Sequence, residues 1–99
     1  MVVPRIVVLD ADDAAVFSSV ETAQTWLEPW YVETEPVCVF DDLGQPYTPR
    51  VDGLKVKLDS GGQSVDLDDV CARLGAPPNT PLIDAIDDYL RRHPKQKVR

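Results

Sequence analysis

The chain has 99 residues, 43% of them hydrophobic and 27% charged, with a formal net charge of −7 at pH 7. This length predicts a single domain, and the hydrophobic content is too high for a disordered chain. No apolar run approaches the roughly 18 residues that span a bilayer, and the acidic charge disfavours nucleic acids and anionic membranes as partners.

The charge is unevenly placed along the chain. Residues 1–90 contain all 17 acidic residues against five basic ones, a formal charge of −12, whereas residues 91–99 (RRHPKQKVR) contain five basic residues and no acidic one. Such a body suits a basic protein partner, although an acidic surface also serves solubility alone. We expect a domain over residues 1–90 and a flexible basic tail at 91–99 that can fold back on it.

The first predicted element is a strand at RIVVL (5–9), because a short apolar run with β-branched residues is typical of burial on both faces. The acidic stretch DADDAAVF (10–17) is predicted to be a connection, although residues 14–17 could extend the next helix backwards. The start MVVPRIVVLD is too short and quickly too acidic for a signal peptide, which favours its interpretation as the first strand.

A helix is predicted to follow Ser18 as its N-cap and to end near residues 27–28. Ser18 and Glu21 have the spacing of a capping box, and Pro29 disfavours helical geometry in the residue before it. The predicted buried face consists of Val20, Ala23 and Leu27.

Two tryptophans lie near the end of this helix and receive different predictions. Trp30 is expected to pack at the corner after the helix, as a hinge of the core. Trp26 lies about 80° from the centre of the apolar face on a helix of 3.6 residues per turn. We therefore expect Trp26 to be the tryptophan that a partner can contact, together with its neighbour Tyr31.

Residues 31–58 are predicted to form a three-stranded antiparallel meander. Tyr31 begins an extended stretch, YVETEPVCVF, in which Pro36 indicates an edge position or a bulge. A turn at 41–45 leads into PYTPRV, and Asp-Gly at 52–53 predicts a type I′ hairpin turn. In LKVKL, alternation with lysine predicts a buried face formed by Leu54, Val56 and Leu58.

Two helices are predicted in the last third of the chain. The first follows Asp66 and ends at Gly75. Its apolar face is predicted to contain Leu67, Val70, Cys71 and Leu74. Thr80 is predicted to cap the second helix, with Pro81 as its first residue and Pro94 after its end. The apolar stripe of this helix is predicted to contain Leu82, Ile83, Ile86, Tyr89 and Leu90.

The resulting order of elements is β-α-β-β-β-α-α. It predicts an α+β two-layer sandwich, with a mostly antiparallel sheet of about four strands and two to three helices on one face. No internal repeat or low-complexity tract interrupts this order.

The sequence offers little for catalysis, metal binding or cofactor binding. The single histidine, His93, lies in the basic tail, so a Ser–His or Cys–His pair is not expected. The carboxylate groups do not fit a calcium loop, and DSGGQS lacks the lysine of a phosphate-binding loop. Cys38 and Cys71 are expected to be reduced core thiols, with a disulfide or a reactive thiol as the alternative. We therefore expect no enzyme, no metal and no cofactor.

Protein recognition is the function class that remains. The acidic side of the last helix contributes to a dense negative potential, although such a side is also the ordinary solvated back of a helix. Tyrosine and tryptophan are the anchors that interfaces favour. The predicted partner-binding residues are Trp26, Tyr31, Asp41, Asp42, Tyr47, Asp84, Asp87 and Asp88.

Residues 18–58, under half of the chain, resemble a family of small, acidic bacterial proteins. The segment S-V-E-x-A-x-x-x-L-E-P and the following V-F-D-x-x-G, Val39–Gly44, are similar to the immunity proteins that are encoded beside polymorphic secreted toxins. The resemblance implies an inhibitor that binds one cognate toxin and occludes its active site, or blocks its folding or substrate entry. It carries over no site residues, because such interfaces differ from pair to pair.

Two function hypotheses follow. The first is a cytoplasmic immunity protein, a monomer or small homo-oligomer that neutralises a toxin with a basic surface. The second is a non-catalytic interaction or adaptor module, such as a secretion accessory or a self-associating domain.

Overall fold

The computed structural model describes residues 4–10, 13–94 and 98–99. Within them, four helices accompany one open antiparallel sheet of five strands, in the order β2-β1-β3-β4-β5. The elements are β1 (Ile6–Leu9), β2 (Ala14–Phe17), α1 (Val20–Trp26), α2 (Pro29–Thr34), β3 (Cys38–Asp41), β4 (Pro46–Asp52), β5 (Lys55–Ser60), α3 (Leu67–Leu74) and α4 (Leu82–Arg92). The predicted α+β class is confirmed, with one strand and one helix more than predicted.

Helices cover both faces of the sheet, whereas the prediction placed them on one. In β1, Val7 and Leu9 belong to a buried cluster with α3 and α4, and Ile6 and Val8 belong to a second cluster with α1. Successive residues of a strand point to opposite faces, so every residue of β1 is buried. The predicted strand with two buried faces is confirmed.

Residues Ala14–Phe17 form a strand, neither the connection nor the helical extension that the sequence suggested. This strand, β2, pairs antiparallel with β1, with Phe17 opposite Ile6. All four of its residues are buried, so it lacks the polar alternation of a half-exposed strand. The next helix, α1, begins one residue later than predicted, because Ser19 is its N-cap and its Oγ accepts from the Thr22 amide at 3.2 Å.

The short helix α2 replaces the beginning of the predicted first meander strand. Glu28 is its N-cap, and Pro29 occupies the first helical position, where a missing amide hydrogen costs nothing. The following strand, β3, starts only at Cys38 and lies centrally, between β1 and β4. Pro36 precedes this strand, so the predicted edge strand or bulge at Pro36 is wrong.

The predicted hairpin forms between β4 and β5, but its turn is displaced by one residue. Asp52 pairs with Lys55, so the turn residues are Gly53 and Leu54. Gly53 has a φ of 64°, whereas Leu54 has no positive φ, which excludes the predicted type I′ turn. Leu54 is consequently 94% exposed at the tip, while Val56 and Leu58 are buried as predicted.

The caps of α3 are as predicted. Asp66 is the N-cap, and its carboxylate accepts from the amides of Asp68 and Asp69 at 3.1 and 3.2 Å. Gly75 ends the helix with a φ of 76°, in the left-handed region that favours glycine. The predicted apolar face is buried except for Leu67, which is half exposed.

The N-cap of α4 is Pro81, in place of the predicted Thr80. The Thr80 hydroxyl instead donates to the carbonyl of Pro77 at 2.6 Å. This helix continues through Arg92, so the first two residues of the basic segment 91–99 are helical. Ile83, predicted to be in the apolar stripe, is half exposed.

Residues 95–97 of the predicted tail and residues 11–12 of the predicted connection lie outside the described residues. Over the described ranges, no helix has the length and hydropathy needed to cross a membrane.

Candidate protein-interaction surface

The break between α1 and α2 brings three aromatic side chains together. Leu27 ends α1 with extended backbone, and its buried side chain anchors the break in the core. Pro29 then restarts the helix after one extended residue, Glu28. Trp26 therefore lies at the end of α1, and Trp30 and Tyr31 lie at the start of α2.

We call Trp26, Trp30 and Tyr31 the aromatic patch. The ring centroids of Trp26 and Tyr31 are 5.9 Å apart, and those of Trp30 and Tyr31 are also 5.9 Å apart, both pairs edge to face. Trp26 is 40% exposed and Trp30 62% exposed. With Glu28, the three rings line a depression of about 340 Å³. The prediction that Trp30 packs as a hinge of the core is wrong.

A buried ring and two hydrogen bonds fix the position of the aromatic patch. The fully buried Phe17 lies 5.3 Å from the Trp26 ring, centroid to centroid. The Tyr31 hydroxyl donates to the carboxylate of Asp10, and the Trp30 indole donates to Glu28. Burial and the hydrogen bond to Asp10 raise the pKa of Tyr31 above its usual range, so the hydroxyl stays protonated and keeps this contact.

The surroundings of the patch are acidic. Between Arg5 and Arg50 the sequence contains nine acidic residues and no lysine or arginine. Four of them, Glu21, Glu28, Glu33 and Glu35, are exposed on or beside α1 and α2. None of these four forms an ion pair with any residue that the structure describes. Within the described chain, their charge is therefore not cancelled by an ion pair.

Arg99 brings a basic side chain to the patch from a distant part of the sequence. Its guanidinium carbon lies 5.5 Å from the centroid of the Trp26 ring, within the range of a cation–π contact. Its main chain bonds to β2 and to the residue that follows it: the Arg99 amide donates to the Val16 carbonyl at 2.9 Å, and the Ser18 amide donates to the Arg99 carbonyl at 2.7 Å.

Three of the predicted site residues lie at the β3–β4 turn. Asp41 is only 3% exposed, and its Oδ1 accepts from the amides of Leu43 and Gln45, both at 2.9 Å. The Tyr47 hydroxyl donates to Oδ2 of Asp41 at 3.3 Å, and burial together with this carboxylate raises the pKa of Tyr47. Asp41 thus closes the turn and presents little surface to a partner. Its neighbour Asp42 is half buried and pairs with Arg5 at 3.0 Å.

The predicted acidic face of α4 lies on the other side of the sheet from the patch. Arg5, which forms an ion pair with Asp42, forms a second ion pair with Asp87 at 2.6 Å. Asp88 pairs with Arg91 and with Arg92, and the hydrogen bond from Arg91 lowers its pKa. Asp84 is exposed. Of the eight predicted residues, the structure therefore brings only Trp26 and Tyr31 into the aromatic patch.

Prediction from sequence missed Trp30, Glu28 and Arg99 as parts of this surface. The available signal was Pro29, because proline is favoured at the first position of a helix as well as after its end. A helix restarting at Pro29 puts Trp30 and Tyr31 beside Trp26. No sequence pattern indicated the contact between Arg99 and Trp26, which joins residues far apart in the chain.

The groups considered for catalysis do not converge. His93 stacks on Tyr89 with 4.3 Å between ring centroids, and its Nδ1 lies 2.9 Å from the Tyr89 carbonyl. Cys38 and Cys71 are free thiols; burial raises the pKa of Cys38, and Cys71 points its Sγ at the Thr80 carbonyl at 3.5 Å. Among the described residues, no group of three or more His, Cys, Asp or Glu is placed to hold a metal ion.

A mixed-charge depression of about 400 Å³ lies between α3, α4 and the end of β1. Its arginines bind main-chain carbonyls: Arg73 donates to that of Asp10, and Arg92 to that of Leu74 at 2.6 Å. Arg92 also packs against Gly75, where an added Cβ would lie 2.8 Å from its Nη1. These contacts tie α3 to α4 and to the sheet.

Comparison with family models, with curated proteins and with solved structures found no match in any of the three searches.

Proposed function

We propose that this chain is an immunity-type inhibitor, which binds a cognate secreted toxin with a basic surface and occludes it in the cytoplasm. The observation that carries the proposal is the aromatic patch: two exposed tryptophans and a tyrosine surrounded by glutamates without described ion partners. Tryptophan and tyrosine are enriched among the residues that contribute most to binding. A surrounding acidic rim attracts a basic partner and disfavours others.

The patch is suited to tight binding because it is pre-organised. Phe17 and Leu27 anchor it in the core, and the Tyr31–Asp10 hydrogen bond fixes its third ring. Side chains that are already ordered lose less conformational entropy on binding. The exposed parts of Trp26 and Trp30 offer apolar surface for burial by a partner. Occlusion by such a surface requires no chemistry from the inhibitor itself.

The test is co-expression with the product of the neighbouring gene. We expect wild-type protein to copurify with that product and to protect the cells from it. Trp30→Ala should weaken both, whereas Ile83→Ala, which removes a half-exposed apolar side chain on the opposite face, should weaken neither. If wild-type protein neither copurifies nor protects, the proposal is wrong.

The adaptor hypothesis makes a different prediction for the isolated protein. A self-associating module should show a sedimentation coefficient that rises with protein concentration in the absence of any partner. An inhibitor of a toxin should instead remain a monomer or a fixed small oligomer over the same range.

A further inference from the structure

The two outer strands of the sheet, β2 and β5, differ in which groups bind the main chain at their open edges. On β5, the side chain of Gln24 accepts from the outward-facing amide of Leu58 at 2.8 Å. At the start of β2, the Ala14 amide donates to Asp13 Oδ1 at 2.8 Å, and the Tyr89 hydroxyl donates to the Ala14 carbonyl at 3.4 Å. Side chains thus satisfy these main-chain groups, which would otherwise be available to an added strand.

The next part of the β2 edge, Val16–Ser18, is hydrogen-bonded to main-chain groups instead of side chains. Arg99 donates its amide to the Val16 carbonyl and accepts at its own carbonyl from the Ser18 amide. This pair of bonds, reaching the residues on either side of Phe17, is the pattern by which a parallel strand adds to an edge. The edge is therefore shaped to accept extended chain at this point.

The side chain of the added residue reaches Trp26. The Arg99 guanidinium lies over the exposed indole, and both residues line an open depression together with Phe17, Glu21, Thr22 and Thr25. In strand addition, main-chain bonds supply register and side-chain pockets supply specificity. Here the pocket offers an aromatic face and a nearby carboxylate, which together favour a cation.

From this arrangement we propose that Val16–Ser18 and Trp26 form a docking site for an extended, arginine-bearing segment of the protein partner. Arg99 occupies the site in the free protein and is displaced on binding. The proposal rests on the proposed function, because the partner is the basic protein named there. Arg99 and the partner segment therefore compete for the site. The apparent affinity for the partner segment is the intrinsic affinity multiplied by the fraction of protein in which Arg99 has left the site.

The test uses the full chain and a synthetic peptide, acetyl-Lys-Val-Arg-Val-Lys-amide, followed by amide NMR. Arg99→Pro removes both the donated amide hydrogen and the guanidinium, so it should vacate the site. We expect this variant to bind the peptide about tenfold more tightly than wild type. The largest shifts should occur at the Ser18 amide and the Trp26 indole. Replacing the central arginine of the peptide with leucine should weaken binding about fivefold.

Two further variants in the Arg99→Pro background complete the test. Trp26→Leu should abolish the preference for the arginine peptide, whereas Ile83→Ala should preserve it; the amide spectrum of each variant checks that it is folded. The proposal is overturned if the Arg99→Pro variant does not bind the peptide or binds it no more tightly than wild type. It is also overturned if binding leaves the Ser18 amide unshifted or if Trp26→Leu keeps the preference.

The result is separable from the test of the proposed function. If the neighbouring gene product copurifies but leaves the Ser18 amide and Trp26 unchanged, strand docking is wrong while inhibition stands. If no toxin copurifies and the peptide still binds as described, the inhibitor proposal is wrong while the docking site stands.

Discussion

The two faces of the sheet contain similar cores but present opposite surfaces. On the α3–α4 side, arginines neutralise carboxylates: Arg5 pairs with Asp42 and Asp87, and Asp88 pairs with Arg91 and Arg92. On the α1–α2 side, the glutamates have no described ion partner, and two tryptophans are exposed beside them. The exposed tryptophans and the glutamates without a described ion pair thus lie on the same side of the sheet.

The contrast does not arise from the demands of folding. Each side buries one phenylalanine completely, Phe40 beneath α3 and α4 and Phe17 beneath α1. Large exposed aromatic side chains add little to the stability of a monomer, whereas they are common at interfaces. The exposed tryptophans therefore fit the proposed role in recognition, and four experiments test this difference between the two faces.

The loss of a buried phenylalanine should have the greatest consequence of the four changes, a loss of stability that is equal on the two faces. Phe40→Ala and Phe17→Ala should each lower the free energy of unfolding by about 3–5 kcal/mol, because each leaves a cavity in a packed core. Urea denaturation measures both. Only Phe17→Ala should also change the tryptophan emission of the folded protein, since Phe17 contacts Trp26. Equal changes in tryptophan emission in both variants would contradict the conclusion that Phe17, and not Phe40, supports Trp26.

The second effect concerns binding alone. Trp30→Ala should weaken the complex with the partner by about 2 kcal/mol or more, roughly a 30-fold rise in Kd, as for a central interface tryptophan. Its free energy of unfolding should change by less than about 0.5 kcal/mol, because the side chain is mostly exposed. Calorimetric titration measures the Kd, with Ile83→Ala as the control on the other face. Equal losses for the two variants would place the interface elsewhere.

A smaller effect is expected on the association rate. Glu33→Lys reverses a charge on α2, and Asp84→Lys makes the same change in charge on α4. At low salt, Glu33→Lys should slow association by about threefold or more, whereas Asp84→Lys should have a weaker effect. Stopped-flow fluorescence measures both rates. The difference should shrink as salt is raised, because the Debye length falls from about 10 Å at 0.1 M to about 3 Å at 1 M. The reverse order would assign the partner to α4.

The smallest effect is a loss of stability at alkaline pH. Because the pKa of Tyr31 is higher in the folded protein than its unfolded value of about 10, the unfolded chain loses this proton first as the pH rises. The stability linked to Tyr31 is therefore fully present below pH 10 and declines above it. Tyr31→Phe should flatten this decline, as followed by urea denaturation at several pH values. If stability declines as steeply in Tyr31→Phe as in the wild type, Tyr31 is not the source of the decline.

Local patterns predicted those elements whose signals were short and unambiguous. The apolar run of β1, the Asp66 and Gly75 caps of α3 and the alternation of Val56 and Leu58 in β5 all appear in the structure. In each case a few neighbouring residues determine the local geometry, so tertiary packing had little to override.

Other elements depend on what packs against them. Residues 14–17 read as a connection because both faces of β2 are covered and no polar alternation remains. Tyr31 and Val32 have β propensity, but the proline at the first position of α2 fixes a helical start that overrides it. The contact of Arg99 with Trp26 requires the folded chain, so no periodicity could predict it. Trp26 was predictable as an exposed aromatic side chain, whereas the position of Trp30 followed from the unpredicted helix.

The break between α1 and α2 also bears on how such a protein could change its partner. Trp26 and Trp30 are separated by three residues, and only Leu27 among these is buried. Adding or deleting one residue between Leu27 and Pro29 would change how α2, and with it Trp30 and Tyr31, is placed relative to Trp26. A single codon gained or lost would thus produce a different arrangement of the same three rings. New specificity could in this way evolve at one joint while the buried core beneath it stays the same.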